Sequence, residues 1–324
     1  MPMIKRYTPN YVVKFKQTST CCTCLSCKKS PPKTALVTQY WKNQQRESVS
    51  LRCESACRAV LLDPQAFMLD DSSLDTEENQ VRQEFTAFEQ ALNQQCINLA
   101  IAPQPSFEES LFALGILVSK AESLDPQAGE SLDALLNMAA DLQALAENGQ
   151  LQQQYILLPP VPEIQAKAFK TLGKKSFAFA LPKLQKMALQ MALSELSLLS
   201  PAQFAERHDE IKTVWQDSCT PYFAKRSHIW RNYLLYCLYH QPFSPTVSHR
   251  ITDCYFELLA DIYELKTLLA IALSSDIAMD EDSVIKIFTA FHQAGENQQE
   301  TNPGKHDLGD KTNNLLNALA LICL

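Results

Sequence analysis

The chain has 324 residues, of which 46% are hydrophobic, enough to bury one large core or two smaller ones. Its 7 glycines include no two spaced as Gly-x-Gly, which excludes a dinucleotide or Walker-type phosphate loop and leaves a Rossmann-like domain without its first turn. The net charge of −7 is divided unevenly: residues 1–60 hold 11 Lys/Arg against 2 Asp/Glu, residues 61–150 hold 2 against 16, and the remainder is nearly neutral.

At the N-terminus, Met1 to Tyr7 carries charges with no apolar stretch behind them, so no export signal is visible. No later stretch is long and apolar enough to span a bilayer. The expected location is therefore cytoplasmic, with reduced thiols and no membrane partner. Residues 11–16 and 34–40 read as short strands.

Six of the eleven cysteines fall within the first 57 residues: Cys21, Cys22, Cys24 and Cys27, then Cys53 and Cys57. Thiolates at such spacing can reach one Zn²⁺ or one iron-sulfur cluster without long loops, so all six are candidate metal ligands. Four suffice, and Cys24, Cys27, Cys53 and Cys57 form the pairs with workable chelate spacing. Cys96, Cys219, Cys237, Cys254 and Cys323 stand singly in apolar patterns and read as buried small hydrophobes. The basic first 60 residues are expected to dock on the acidic 61–150 region through opposite charge. Nucleic-acid binding is disfavoured, because aromatic residues are few there and no nucleic-acid motif appears.

Helical periodicity dominates after residue 70. Val81, Phe85, Phe88, Leu92, Cys96 and Leu99 recur at three- and four-residue steps, Leu111, Leu114 and Leu117 mark a second helix, and Leu132 to Leu145 a third closed by Gly149. Leu158-Pro159-Pro160-Val161-Pro162 is the best internal boundary, since prolines lack backbone donors and favour an extended path. A helix from Gln165 to Leu172 is marked off by Gly173, and another runs from Leu184 to Leu198. Ser200 caps a helix opening at Pro201, with Gln203 completing a capping box and Leu199 stapling onto Phe204. Further helices are read near 223–241, 246–274, 282–293 and 311–323, and Gln298 to Asn314 reads as a mobile loop. The expected fold is mainly α, a multi-helical domain with a short irregular cysteine-rich N-terminal segment. Its expected parts are 1–60 (basic, metal-binding), 61–158 (acidic, helical) and 163–324 (helical), the last two forming either separate domains or a single one.

Arg231-Asn232-Tyr233-Leu234-Leu235-Tyr236, Pro242-Phe243, Asp253 to Leu259, Tyr263 to Lys266 and Asp280 to Ile285 with Phe288 resemble the C-terminal half of the flagellin lysine-N-methylase family. Pro9 to Phe15 resembles that family's opening, and Cys53, Ala56 and Arg58 match its Cys-Pro-Glu-x-Ala-Arg element. The chain lacks the family's Cys-Cys-x-Gly-Trp, carries Arg231 where Glu is usual before Asn-Tyr, and has Glu296-Asn297 in place of Glu-His, which marks a divergent member. The resemblance implies a bacterial protein that methylates lysine side chains of flagellin or another protein substrate, with S-adenosylmethionine as donor and its cysteines holding an iron-sulfur cluster.

A lysine attacks a methyl sulfonium only as the neutral amine, so a site of this kind needs a group that takes or orients a proton. Tyr233, Asp253 and Tyr255 are the candidate catalytic residues where the resemblance is densest, with Asn232, Glu257 and Tyr263 near them. Helices around Pro242 and Pro245 are expected to form a hairpin on which these side chains face each other. His228, His240 and His249 match no helical ligand spacing and read as lone surface or helix-end histidines. Lys167, Lys170, Lys174, Lys175, Lys183 and Lys186 read as a solvated face. The alternative to an enzyme is a non-catalytic zinc- or iron-sulfur-binding helical interaction or sensor protein.

Overall fold

The structure is a computed structural model and describes residues 3–18, 24, 27, 35–75, 84–240, 243, 250–299 and 314–324. The N-terminal part is built on a four-stranded sheet of order β2-β3-β1-β4. Strand β1 (Met3–Pro9) pairs antiparallel with β4 (Leu69–Asp75) and parallel with β3 (Gln44–Val49), which forms an antiparallel pair with β2 (Leu36–Trp41). The expected strand at 34–40 is β2. The expected strand at 11–16 is instead helix α1 (Asn10–Thr18). There Tyr11, Val12 and Phe15 are buried on one side, a helical spacing that the β-branched pair Val12-Val13 masks in the sequence. Helix α2 (Glu54–Leu61) follows β3 and packs on α1.

The remainder is helical. α3 (Ala87–Ile101), α4 (Phe107–Ser123) and α5 (Gly129–Glu147) pack on one another, and α3 and α4 each open with a capping box, Thr86 with Glu89 and Ser106 with Glu109. After α6 (Gln150–Tyr155) the proline-rich link leads into α7 (Pro162–Lys174) and α8 (Lys183–Leu196). Gly173 does not stop α7. A Cβ there would lie 2.8 Å from the Leu193 carbonyl oxygen and from the Ser197 nitrogen, so glycine serves the close approach of α7 to α8. Helix α9 (Pro201–Val214) starts with the expected Ser200–Gln203 box and ends in a π-helical turn, Trp215–Cys219. Pro221 begins the next helix, α10 (Thr220–Ala224), and the missing proline donor accounts for the widened turn before it.

The helix expected near 223–241 is interrupted, its main part being α11 (His228–His240). α12 (Ile251–Ser274), α13 (Glu281–Gln299) and α14 (Asn314–Leu319) follow. Eighteen of the 24 residues of α12 are buried, so this helix is covered on all sides, packing against α4, α7, α8, α9, α13 and α14. One continuous apolar core runs from Tyr11 to Leu324. Val81, Pro242, Pro245 and His249 lie outside the described residues, as does most of the segment from Gln298 to Asn314.

The N-terminal segment docks differently from the charge-based expectation. Lys14–Asp63 and Lys42–Glu89 do reach acidic residues. Its main tie to that region is backbone pairing, since β1 lies along β4 from Met3 to Pro9, and further ties run to the C-terminal half. Asn232 Nδ2 donates to the carbonyls of Val60 (2.9 Å) and Asp63 (2.8 Å), Tyr236 Oη to that of Val49 (2.9 Å), Tyr239 Oη to those of Tyr7 and Glu47, and Gln293 to that of Arg52. Arg46, buried, donates to the Tyr239 carbonyl at 2.8 Å and to Asn93 Oδ1 at 3.2 Å. Helices α11 and α13 thus hold α2 and the sheet with uncharged acceptors and apolar contact, because net charge at the sequence level says nothing about which carbonyls a fold leaves to be satisfied.

Candidate functional site

Cys53 precedes the first residue of α2, and its backbone carbonyl accepts from Cys57 N at 2.8 Å. Cys53 is thus the N-cap residue of α2, and its side chain makes no capping hydrogen bond to the helix. Cys24 and Cys27 arrive from the preceding segment, and the Sγ atoms of Cys24, Cys27 and Cys53 all lie within 4.8 Å of one another. Cys27 Sγ is 3.5 Å from Cys53 Sγ. Burial and the two neighbouring thiols push the Cys27 thiol strongly upward, since thiolates so close repel unless a cation lies between them. Cys57 does not join this group. One turn further along α2, it faces α13, where its thiol reaches the Ile285 carbonyl at 3.9 Å, and burial pushes it up to about 12. Cys21 and Cys22 lie outside the described residues.

The donor set fits a soft cation. At a metal–sulfur distance of about 2.3 Å, tetrahedral geometry sets sulfurs ~3.8 Å apart, and the three thiols are already near that separation. In a cuboidal iron-sulfur cluster the cysteines bind separate irons and stand further apart. Three soft donors from two chain segments therefore suit one ion with a fourth ligand from elsewhere.

The candidate catalytic residues face different neighbours. Tyr233, on α11, is buried with its ring 5.2 Å from Phe288 and 5.7 Å from His292 on α13. Tyr255, on α12, donates its hydroxyl to the Leu111 carbonyl at 2.7 Å. It crosses α4 so closely that a Cβ on Gly115 would lie 2.6 Å from its Oη. Burial holds both tyrosine pKa values well above the usual range, so each keeps its proton and serves as a donor, not a base. Asp253 completes a capping box at the start of α12, accepting from Arg250 N at 3.3 Å and pairing with the Arg250 guanidinium at 3.1 Å. Its side chain remains 18% exposed. Asn232 ties α11 to α2, and Tyr263 is buried on α12 against Phe169.

Among the histidines, His240 is half-buried with Nδ1 2.9 Å from the Tyr236 carbonyl, and loss of solvation depresses it to about 4; the same cause depresses His228. Lys175 leaves the solvated lysine face altogether. It is buried against Glu264, with its ammonium 4.8 Å from the Phe291 ring. Lys266 is likewise buried, 2.6 Å from Glu108 Oε1 and over the rings of Phe107 and Trp215. Sequence reasoning missed both pairs, for their partners lie 89 and 158 residues away. A cleft of about 430 Å³ opens among α3, α4, α5 and α6, bordered by Asn98, Gln104, Ser110, Gln143 and Glu147.

The model of the FliB lysine N-methylase C-terminal domain matches residues 93–324. Two proteins called lysine-N-methylase, from Salmonella typhimurium strain LT2 and Salmonella choleraesuis strain SC-B67, are each 21% identical over 271 residues, covering 82% of this chain and 67% of theirs. No solved structure matches. The thiol cluster precedes the region that the family model matches.

Proposed function

The chain belongs to the FliB lysine N-methylase family, and on that premise we propose that it methylates lysine side chains of a protein, flagellin being the substrate and S-adenosylmethionine the donor. The family match over residues 93–324 carries this reading. Flagellin and the donor are implied by the resemblance of the segments around Tyr233 and Asp253. S-adenosylmethionine, when bound, supplies an electrophilic methyl group and departs as a neutral thioether. The chain's own task is to present the lysine Nε unprotonated and in line with that methyl. Tyr233 and Tyr255 can donate hydrogen bonds but not accept the proton, which leaves Asp253, partly exposed, as the candidate acceptor.

For the thiol cluster we propose one bound metal ion held by Cys24, Cys27 and Cys53, with Zn²⁺ the better fit to close sulfurs and an iron-sulfur cluster the alternative. The ion would join the cysteine segment to α2 and so stabilise the folded state. A cytoplasmic location agrees with thiols kept reduced. Among the described residues no helix is long and apolar enough to cross a membrane.

The second reading is a metal-binding interaction or sensor protein without catalysis, favoured by the packing of Tyr233 and Tyr255 into structural contacts. Asp253→Asn separates the two, as it removes a charge at nearly constant volume. On the catalytic reading methyl transfer falls by about 10²-fold or more with little change in melting temperature. Unchanged transfer would discard Asp253 as the proton acceptor.

A further inference from the structure

Helix α8 is apolar on two opposite sides. Leu189, Leu193 and Leu196 are buried on the inner one, which packs on α7 and α12. At 100° per residue the outer side presents Leu184, Met187 and Met191, joined just past the helix end by Leu198, and these are 82%, 49%, 71% and 82% exposed. Single exposed leucines are ordinary. Four large apolar side chains on one stripe, at spacings of three, four and seven, instead form the seam by which a helix packs on another helix. At the C-terminal end of the same helix an apolar groove of about 240 Å³ is bordered by Ala166, Lys170, Leu196, Leu199 and Phe204.

The surroundings of the seam are basic. Lys183 is exposed beside it, with Lys186 further round α8, and Lys170 and Lys174 are exposed on α7. Residues 162–200 hold six lysines and two glutamates, and one of those lysines, Lys175, is buried against Glu264. We propose that the outer face of α8 is a docking surface for an amphipathic helix of a partner protein whose apolar stripe is flanked by Asp and Glu. A second copy of this face fits less well, because it offers fewer carboxylates than lysines, Glu195 and Glu163 against Lys170, Lys174 and Lys183. A lipid surface also fits poorly. Glu195 lies on the stripe between Met191 and Leu198, and a carboxylate is expensive in hydrocarbon, whereas beside another helix it can sit at the wet rim. The methionines suit such a surface, since their unbranched thioethers adapt to varied partner side chains.

The test uses two fluorescent peptides about three heptads long, with Leu at the seam positions, one flanked by Glu and the other by Lys. Neither the peptide with Glu nor its binding requires methyl transfer, so failure here is distinct from failure of the proposed activity. By anisotropy on the full chain, the Glu-flanked peptide is expected to bind at least about tenfold more tightly than the Lys-flanked one, and to weaken as salt rises. The double variant Leu184→Ser/Met191→Ser, altered only at exposed positions, is expected to bind it at least about tenfold more weakly with an unchanged melting temperature. Equal binding of both peptides, or no binding of either, overturns the proposal. So does concentration-dependent self-association of the protein that the double variant abolishes, or preferential binding to phosphatidylserine vesicles that it abolishes.

Discussion

Cys27 Sγ and Cys53 Sγ lie 3.5 Å apart although 26 residues separate them in the chain. That is too far for a disulfide, whose sulfurs stand about 2.05 Å apart, and it suits either an S–H···S contact or two ligands of one ion. Metal analysis of anaerobically purified protein is expected to give about one metal ion per chain. Cys27→Ser and Cys53→Ser should each lose it. Cys57→Ser should keep it, because that thiol points at the Ile285 carbonyl. Retention of the metal by Cys53→Ser would show that the ligands lie elsewhere.

The N-terminal segment is held by buried donors more than by charge, so two substitutions should separate these contributions. Asn232→Ala leaves the Val60 and Asp63 carbonyls without their donor and is expected to cost about 1–3 kcal/mol in urea unfolding. Arg58→Ala breaks an exposed pair with Asp282 and should cost less than about 1 kcal/mol. Equal costs, or an Asn232→Ala effect that vanishes in high salt, would restore the electrostatic account of docking.

Gly115 and Tyr255 should behave as a coupled pair. Gly115→Ala drives a methyl group against Tyr255 and is expected to destabilise by about 1–3 kcal/mol. Tyr255→Phe removes the atom nearest to it, so the double variant should be less unstable than the sum of the two single changes. Strict additivity would mean that the two helices separate freely at this point.

Several elements were legible in the sequence and others were not, for physical reasons. The Ser200–Gln203 box is local, and its residues alone determine it. The mainly helical character followed from periodicity in the same way. Helix α1 was misread because Val12-Val13 has the composition of a strand while burial of Tyr11 and Phe15 depends on α2 and β3. Convergence of Cys24, Cys27 and Cys53 was readable as a cysteine density, but the turning of Cys57 toward α13 depends on packing. Lys175 looked like its exposed neighbours, since only Glu264 and the Phe291 ring, far along the chain, make its burial tolerable.

His240 should make stability depend on pH. Its folded-state pKa, about 4, lies below the unfolded value of about 6.5, so the folded state stays neutral while the unfolded state takes up a proton. Its contribution is fully present above about pH 6.5 and is lost as pH falls toward 4, by roughly 2 kcal/mol at pH 5. Urea unfolding of the protein and of His240→Gln at pH 7.5 and pH 5 should show a smaller loss for the variant. Identical pH dependence would mean that His240 is accessible to protons in the folded state.

Protein-lysine methylation itself is tested most directly by incubating the metal-loaded protein with purified flagellin and S-adenosylmethionine and mapping modified residues by peptide mass spectrometry. Methyl groups on flagellin lysines, dependent on both protein and donor, are the expected result. Unmodified flagellin, from a preparation that retains its metal and its folded core but binds no S-adenosylmethionine, would contradict it and favour a non-catalytic metal-binding protein.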